Sequence, residues 1–165
     1  MTGPVSTYLA SDHRRLEDAL DRATREAHSI EPVAYMEFRG GLLRHISMEE
    51  KILLPEAQTV RGGKPLAIAA KLRLDHGALA ALLVLTPTSS IIAAIRTILR
   101  SHNRLEEGPE GVYAECERLT GFEADKILVR LQNAPPVAMA PYADSSIAME
   151  SAQNALKRAG HDVTF

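Results

Sequence analysis

Asp12-His13-Arg14-Arg15-Leu16 and Asp75-His76-Gly77-Ala78-Leu79 share one pattern, and each is followed by a second one. His45-Ile46-Ser47-Met48-Glu49-Glu50 follows the first, and His102-Asn103-Arg104-Leu105-Glu106-Glu107 follows the other. Four His and two Glu therefore recur in one order. On a helix, residues four apart lie on the same face, so His45 with Glu49, and His102 with Glu106, can each reach one point in space. Metal ligands are presented this way. The duplication predicts two halves meeting face to face around two metals rather than one.

The sequence around these residues reads as helix. From Val5 to about His28, Leu9, His13, Leu16 and Leu20 recur at steps of three and four, the stripe of an amphipathic helix. Glu31-Pro32 marks a new start, since Pro is tolerated at the first helical position. A second helix is predicted from Pro32 to about Thr59, with Phe38, Leu42, His45, Glu49 and Ile52 or Leu53 on its inner face. Arg61-Gly62-Gly63-Lys64-Pro65 is the clearest turn in the chain, and a third helix is expected from Pro65 to about Leu85. Thr86-Pro87-Thr88-Ser89-Ser90 breaks the chain and supplies N-caps for a fourth helix, which carries Ile95, Ile98, Leu99, His102 and Glu106 and ends at Gly108-Pro109.

The predicted fold is all-α: an antiparallel up-down-up-down four-helix bundle over residues 1–120, the architecture that buries metal sites between facing helices. Glu110 to Leu119 reads as helical. Thr120-Gly121-Phe122-Glu123 matches a capping box before a helix reaching about Asn133, and Ser145 to Ala159 forms a further helix closed by Gly160. Residues 121–165 are expected to pack on the bundle as a C-terminal helical extension, being few for an independent core. They are also the segment open to a protein partner.

Composition excludes several functional classes. The chain of 165 residues is 45% apolar and 24% charged, with a formal net charge of −2, and so lacks the basic footprint of a nucleic-acid or anionic-membrane binder. Its one cysteine, Cys116, cannot form an internal disulfide, and no basic segment and apolar run of a signal peptide opens the sequence, so the expectation is a cytoplasmic protein. The longest apolar run, Ala78 to Leu85, is far short of the roughly 18 to 20 residues of a membrane span.

Imidazole and carboxylate donors suit iron, zinc and manganese, and the absence of Cys ligands excludes a thiolate site. With Glu49 and Glu106 each bridging two ions, His13 and His45 complete one metal and His76 and His102 the other. Each ion then has about four protein ligands, which leaves room in an octahedron for an oxo or hydroxo bridge and an exogenous ligand. For a single His on an apolar stripe the bland alternative is a hydrogen-bonded core residue. Four in register with two Glu favour the metal.

This arrangement resembles the hemerythrin-like family, the HHE cation-binding domain, whose pattern is a His on the first helix, His-x-x-x-Glu on the second, a His on the third and His-x-x-x-Glu on the fourth. The resemblance covers about Tyr8 to Tyr113, falls on His13, His45, Glu49, His76, His102 and Glu106, and includes the Glu-Glu pairs and the apolar run ending in Pro55. It implies a non-haem diiron centre that binds dioxygen or nitric oxide in sensing, storage or stress response. A diiron enzyme reducing nitric oxide or peroxide, and an iron-handling or regulatory module, are the alternatives; a binding or sensing protein is expected over an enzyme. In one respect the chain departs from the oxygen carriers, which place two His four apart on the third helix. Here Leu72 and Ala80 flank His76 at that spacing, so one iron is an imidazole short. Water or a carboxylate would fill the gap, with Glu17, Glu50 and Glu107 nearest. A ferritin-like oxidase requires Glu-x-x-His pairs, and none of the six His has Glu three residues before it.

The other polar residues read more plainly. Asp12 and Asp75 are expected on solvated faces, because adjacent helical residues do not face each other, although bonds to imidazoles of other helices are open to them. His28 reads as a capping or solvated residue, His161 as an inert tail residue and Cys116 as a small apolar one. Gly41 would give space for a diatomic ligand, or close helix packing, or merely a tolerated kink; Gly77 is expected to serve packing.

Overall fold

A computed structural model describes residues 3–165; its regular elements are all helical, with no strand among the described residues. Helix α1 spans Pro4–Ala23, α2 Pro32–Met48, α3 Leu54–Val60, α4 Ala69–Val84, α5 Ser89–Glu107, α6 Val112–Thr120, α7 Ala124–Gln132 and α8 Ser146–Arg158. None of these helices is long and apolar enough to cross a membrane.

Local chemistry sets the helix ends. The Glu31 carboxylate caps α2 by accepting from Val33 N at 3.0 Å and Ala34 N at 2.6 Å, with Pro32 in the first turn. Thr88 Oγ1 caps α5 through Ile91 N, and Ser145 Oγ caps α8 through Ala148 N. Helix α1 stops at Ala23 rather than near His28. The Thr24 hydroxyl donates to Leu20 O, and Glu31 N bonds Ala23 O at 2.8 Å, while Arg25 to His28 offer little apolar surface to bury. Helix α4 starts at Ala69 rather than Pro65, because Gly62 and Gly63 take left-handed φ angles of 66° and 88° and Leu66 is first buried as an anchor. The expected capping box at Thr120 does not form: Thr120 ends α6, donates its hydroxyl to Cys116 O, and leads into a 3₁₀ turn, Gly121–Glu123.

The predicted long second helix is continuous in path but not in winding. Glu49–Leu53 forms a π-helical turn between α2 and α3. Pro55 lacks an N–H and its ring would strike the carbonyl four residues back in a regular α-helix; the wider turn accommodates it. That turn begins on Glu49, one of the six candidate ligands.

Two apolar clusters make up the core. One contains Leu16, Leu20, Phe38, Leu42, Leu79, Leu82, Ile95 and Ile98, with Ala152 and Leu156 from α8. The other contains Val5, Leu9, Met48, Leu53, Leu72, Tyr113, Cys116, Ile127 and Leu131. Along α1 and α4 the chain passes from the second cluster to the first, and along α2 it returns. In each helix the polar candidates lie between its two apolar contributions. Helix α7 packs on α1, and α8 on α4.

Gly41 permits close approach of α1 and α2: a Cβ there would come within 2.6 Å of Leu16 Cδ2. Gly77 has no such role, since a Cβ there would meet nothing within 4 Å. The tightest approach to backbone is at Gly111, where a Cβ would lie 2.5 Å from the Glu106 carbonyl oxygen. Backbone on backbone cannot yield cheaply. Gly111→Ala is therefore expected to destabilise the metal-free protein by about 1–3 kcal/mol, as overpacking does. Urea denaturation measures this, and an unchanged midpoint would show that the turn relaxes freely.

Candidate metal centre

All six candidate ligands converge. His13, His45, Glu49 and Glu106 form one group of donors, and Glu49, His76, His102 and Glu106 form a second, the ligand atoms within each group lying within 4.8 Å of one another. The six side chains are buried, none more than 6% exposed. The i,i+4 pairs place His45 Nε2 3.2 Å from Glu49 Oε1, and His102 Nε2 2.9 Å from Glu106 Oε1. Each carboxylate then turns its other oxygen to the opposite group: Glu49 Oε2 is 3.1 Å from His76 Nε2, and Glu106 Oε2 is 3.4 Å from His13 Nε2. Two carboxylates are thus shared by two His pairs.

The outward nitrogens of the imidazoles form a closed circuit. Asp12 on α1 meets His45 Nδ1 on α2 at 2.8 Å, and Glu50 in the π turn meets His76 Nδ1 on α4 at 2.7 Å. Asp75 on α4 meets His102 Nδ1 on α5 at 3.2 Å, and Glu107 on α5 meets His13 Nδ1 on α1 at 2.6 Å. Each helix orients the imidazole of the next, and the last closes on the first. Cations brace the carboxylates from outside: Arg15 on Asp12, Arg73 on Glu50, Lys71 on Asp75 and Arg14 near Glu107. Such carboxylates fix ring orientation and raise ligand basicity.

Several expectations are corrected by this geometry. Asp12 and Asp75 are buried, not on solvated faces, because each reaches across to the neighbouring helix. Glu50 and Glu107 hold outer nitrogens and belong to neither donor group; Glu17 is exposed and also outside both. It stands instead beside a cavity of about 150 Å³ walled by His13, Leu16, Leu20, Leu42 and Leu99. His161 is not inert, since its Nε2 lies 2.7 Å from Asp75 Oδ1. His28 is exposed in the turn after α1, and Cys116 is fully buried, with burial pushing its thiol up to about 12.

Tyr113 was not among the sequence candidates. Its hydroxyl donates to Glu49 Oε1 at 2.5 Å and lies 3.1 Å from His13 Nε2, 3.2 Å from His45 Nε2 and 3.2 Å from Glu106 Oε2. The only signal in the sequence was an aromatic residue two places into a short helix just past the Gly108-Pro109 break.

The donor set fits a metal for a reason visible in its hydrogen bonding. A neutral imidazole that gives its Nδ1 proton to an outer carboxylate points a bare Nε2 lone pair inward. Four such nitrogens and four carboxylate oxygens are eight acceptors facing one another. Glu49 Oε2 and Glu106 Oε1 are buried without a hydrogen-bond partner; the imidazole nitrogens beside them lie at ion-pair distance but are not aligned as donors. Positive charge must enter this space, as protons or as metal ions.

Without metal, protons take that place. Burial opposes the charged form of His45, but the Glu49 carboxylate and the bond to Asp12 overcome it and push the imidazole up to about 10. The same contest raises His76 to about 9, through Glu49 and Glu50, and His102 to about 10, through Asp75 and Glu106; His13 also rises, through Glu106 and Glu107. Burial would raise Glu49, yet His45 and His76 hold it well below the usual carboxylate range. Burial, with Glu49 and Glu106 nearby, keeps the Tyr113 phenol protonated.

Stability of the metal-free protein should follow these shifts. Imidazoles raised above their ordinary 6.5 contribute fully below that pH and lose the contribution as pH climbs through about 9 to 10. The depressed Glu49 contributes above its ordinary 4.5 and loses the contribution in acid. The expected Tm of the metal-free protein is therefore highest between pH 4.5 and 6.5 and declines toward pH 10, while the increment gained on adding metal grows over that decline, because metal displaces protons. Calorimetry across the range checks both trends, and a flat metal-free Tm from 6.5 to 10 would show the imidazoles to be neutral.

Compared with protein-family models, with curated proteins and with solved structures, the chain matches none, so the assignment of this centre rests on its donors and their geometry.

Proposed function

We propose that the chain is a hemerythrin-like non-haem diiron protein, in which α1, α2, α4 and α5 form an antiparallel four-helix bundle around two iron ions and bind a small diatomic ligand, dioxygen or nitric oxide. Its role on this reading is sensing, storage or stress response. One observation carries it: two His pairs share two carboxylates, each of which gives one oxygen to either side. A carboxylate-bridged metal pair needs that arrangement, and four nitrogen and oxygen donors per ion suit iron while leaving positions free. Zinc and manganese accept the same donors, which makes metal identity the first thing to measure.

Within this reading the iron pair, when bound, supplies ions with coordination positions that the protein does not fill. The residues do the rest. His13 and His45 would hold one ion and His76 and His102 the other, with Glu49 and Glu106 offering an oxygen to each. Asp12, Glu50, Asp75 and Glu107 fix the imidazole tautomers by accepting the Nδ1 protons. Burial of all six side chains keeps bulk water from the donors.

Metal analysis of protein expressed with iron should give two irons per chain, one for each donor group, with oxo-bridge charge-transfer bands under air. Stoichiometric zinc, or no metal, would refute the diiron assignment. Glu49→Ala and Glu106→Ala each remove one oxygen from both groups, and each is expected to strip the metal and the stabilisation that goes with it. Unchanged metal content in both variants would show the bridges to be misassigned.

A further inference from the structure

Tyr113 breaks the symmetry of the centre. The first donor group has a buried phenol oxygen against all four of its ligand atoms, His13 Nε2, His45 Nε2, Glu49 Oε1 and Glu106 Oε2. The second has no counterpart, and both unpartnered carboxylate oxygens, Glu49 Oε2 and Glu106 Oε1, face it. The cause lies in the chain path. After Glu49 the polypeptide continues into α3, and the residue seven places on, Glu56, pairs with Arg130 away from the site. After Glu106 the chain breaks at Gly108-Pro109, Gly111 packs onto the Glu106 backbone, and α6 brings Tyr113, seven places on, over the first group.

The spacing fits a neighbouring ligand. Metal–nitrogen and metal–oxygen bonds of about 2.0–2.2 Å set neighbouring ligands on one ion about 3 Å apart. The phenol oxygen is 3.1 Å, 3.2 Å and 3.2 Å from three of the donors and 2.5 Å from Glu49, to which it donates while no metal is bound.

We infer that Tyr113 is a fifth protein ligand, bound as phenolate, to the metal held by His13 and His45, so that the exogenous ligand binds the other ion, held by His76 and His102. The inference rests on the metal-centre reading above. On metal binding the phenol O–H bond gives way to an oxygen–metal bond, and the proton leaves to solvent. With five protein ligands and a solvent-derived bridge, the first ion reaches the six positions an octahedral ion takes. The second, with four and the same bridge, keeps one free. The imidazole missing at Leu72 and Ala80 on α4 leaves that position open.

The test uses the full chain loaded with iron and oxidised in air. A phenolate-to-iron charge-transfer band is expected in the visible, with phenolate ring modes in the resonance Raman spectrum excited within it. Tyr113→Phe should keep two irons per chain and lose both signatures. Adding azide to the wild-type protein should leave the ring modes in place, because the anion goes to the other ion. Two bound irons without a phenolate signature, a signature that survives in Tyr113→Phe, or ring modes lost on adding azide would each overturn the inference and leave the metal centre standing. One iron in the wild type against two in the variant would make the phenol a plug, which also overturns it. No iron uptake by either protein would instead bring down the metal-centre reading itself. The wild-type spectrum decides the matter without the variant, since among the described residues Tyr113 is the tyrosine in contact with the donor groups.

Discussion

Eight hydrogen-bond acceptors converge in a space closed off from water, and the rest of the structure is arranged around that fact. Breaking a buried charge pair by removing one partner costs about 3–5 kcal/mol, so a site with several such groups cannot be left half compensated. The protein answers in layers. Imidazoles face the carboxylates, outer carboxylates take the Nδ1 protons, and Arg15, Arg73, Lys71 and Arg14 offset those in turn. The two apolar clusters on either side hold the four ligand helices close enough for this polar circuit to close.

The circuit also explains the spacing of the duplicated motif. In Asp-His the two residues point different ways: the His enters the centre, while the Asp reaches across to the imidazole of the following helix. In Glu-Glu the first residue bridges and the second turns outward to the imidazole of the helix after it. Each motif therefore supplies ligands for its own half and orienting groups for its neighbours. Substituting an outer carboxylate should loosen the ring on a different helix from its own. The two donor groups and the packing of the helices are in this sense one cooperative unit.

Helical stripes and the convergence of the six candidate ligands were legible in the sequence because both follow from periodicity, which a single chain displays directly. Cross-helix relations were not. The outer-carboxylate roles of Asp12 and Asp75 depend on which helix lies beside which, and one-apart spacing gave no hint of a partner more than 25 residues away. Tyr113 was hidden for the same reason, its placement depending on how sharply the chain turns at Gly108-Pro109. The end of α1 at Ala23 and the π turn at Glu49 were missed on other grounds. A Thr hydroxyl returning to a carbonyl and a Pro six residues after a ligand change the winding without disturbing the hydrophobic pattern.

The C-terminal segment is joined to this unit at one point. Asp75 is fully buried and accepts from three sides: His102 Nδ1 within the centre, Lys71 Nζ on its own helix, and His161 Nε2 from beyond α8. Lys71 also donates to Ala159 O, the carbonyl that follows α8. A single carboxylate thus shares its oxygens between an imidazole of the candidate metal centre and the end of the chain. Any movement of the His102 ring would redistribute the bonds at Asp75, and the groups that would feel the change are His161 and the turn closed by Gly160. The seating of α8 and the orientation of the His102 ring are coupled by geometry, and the coupling is reciprocal, since whatever lifts α8 withdraws His161 from Asp75 and frees Lys71 from Ala159 O.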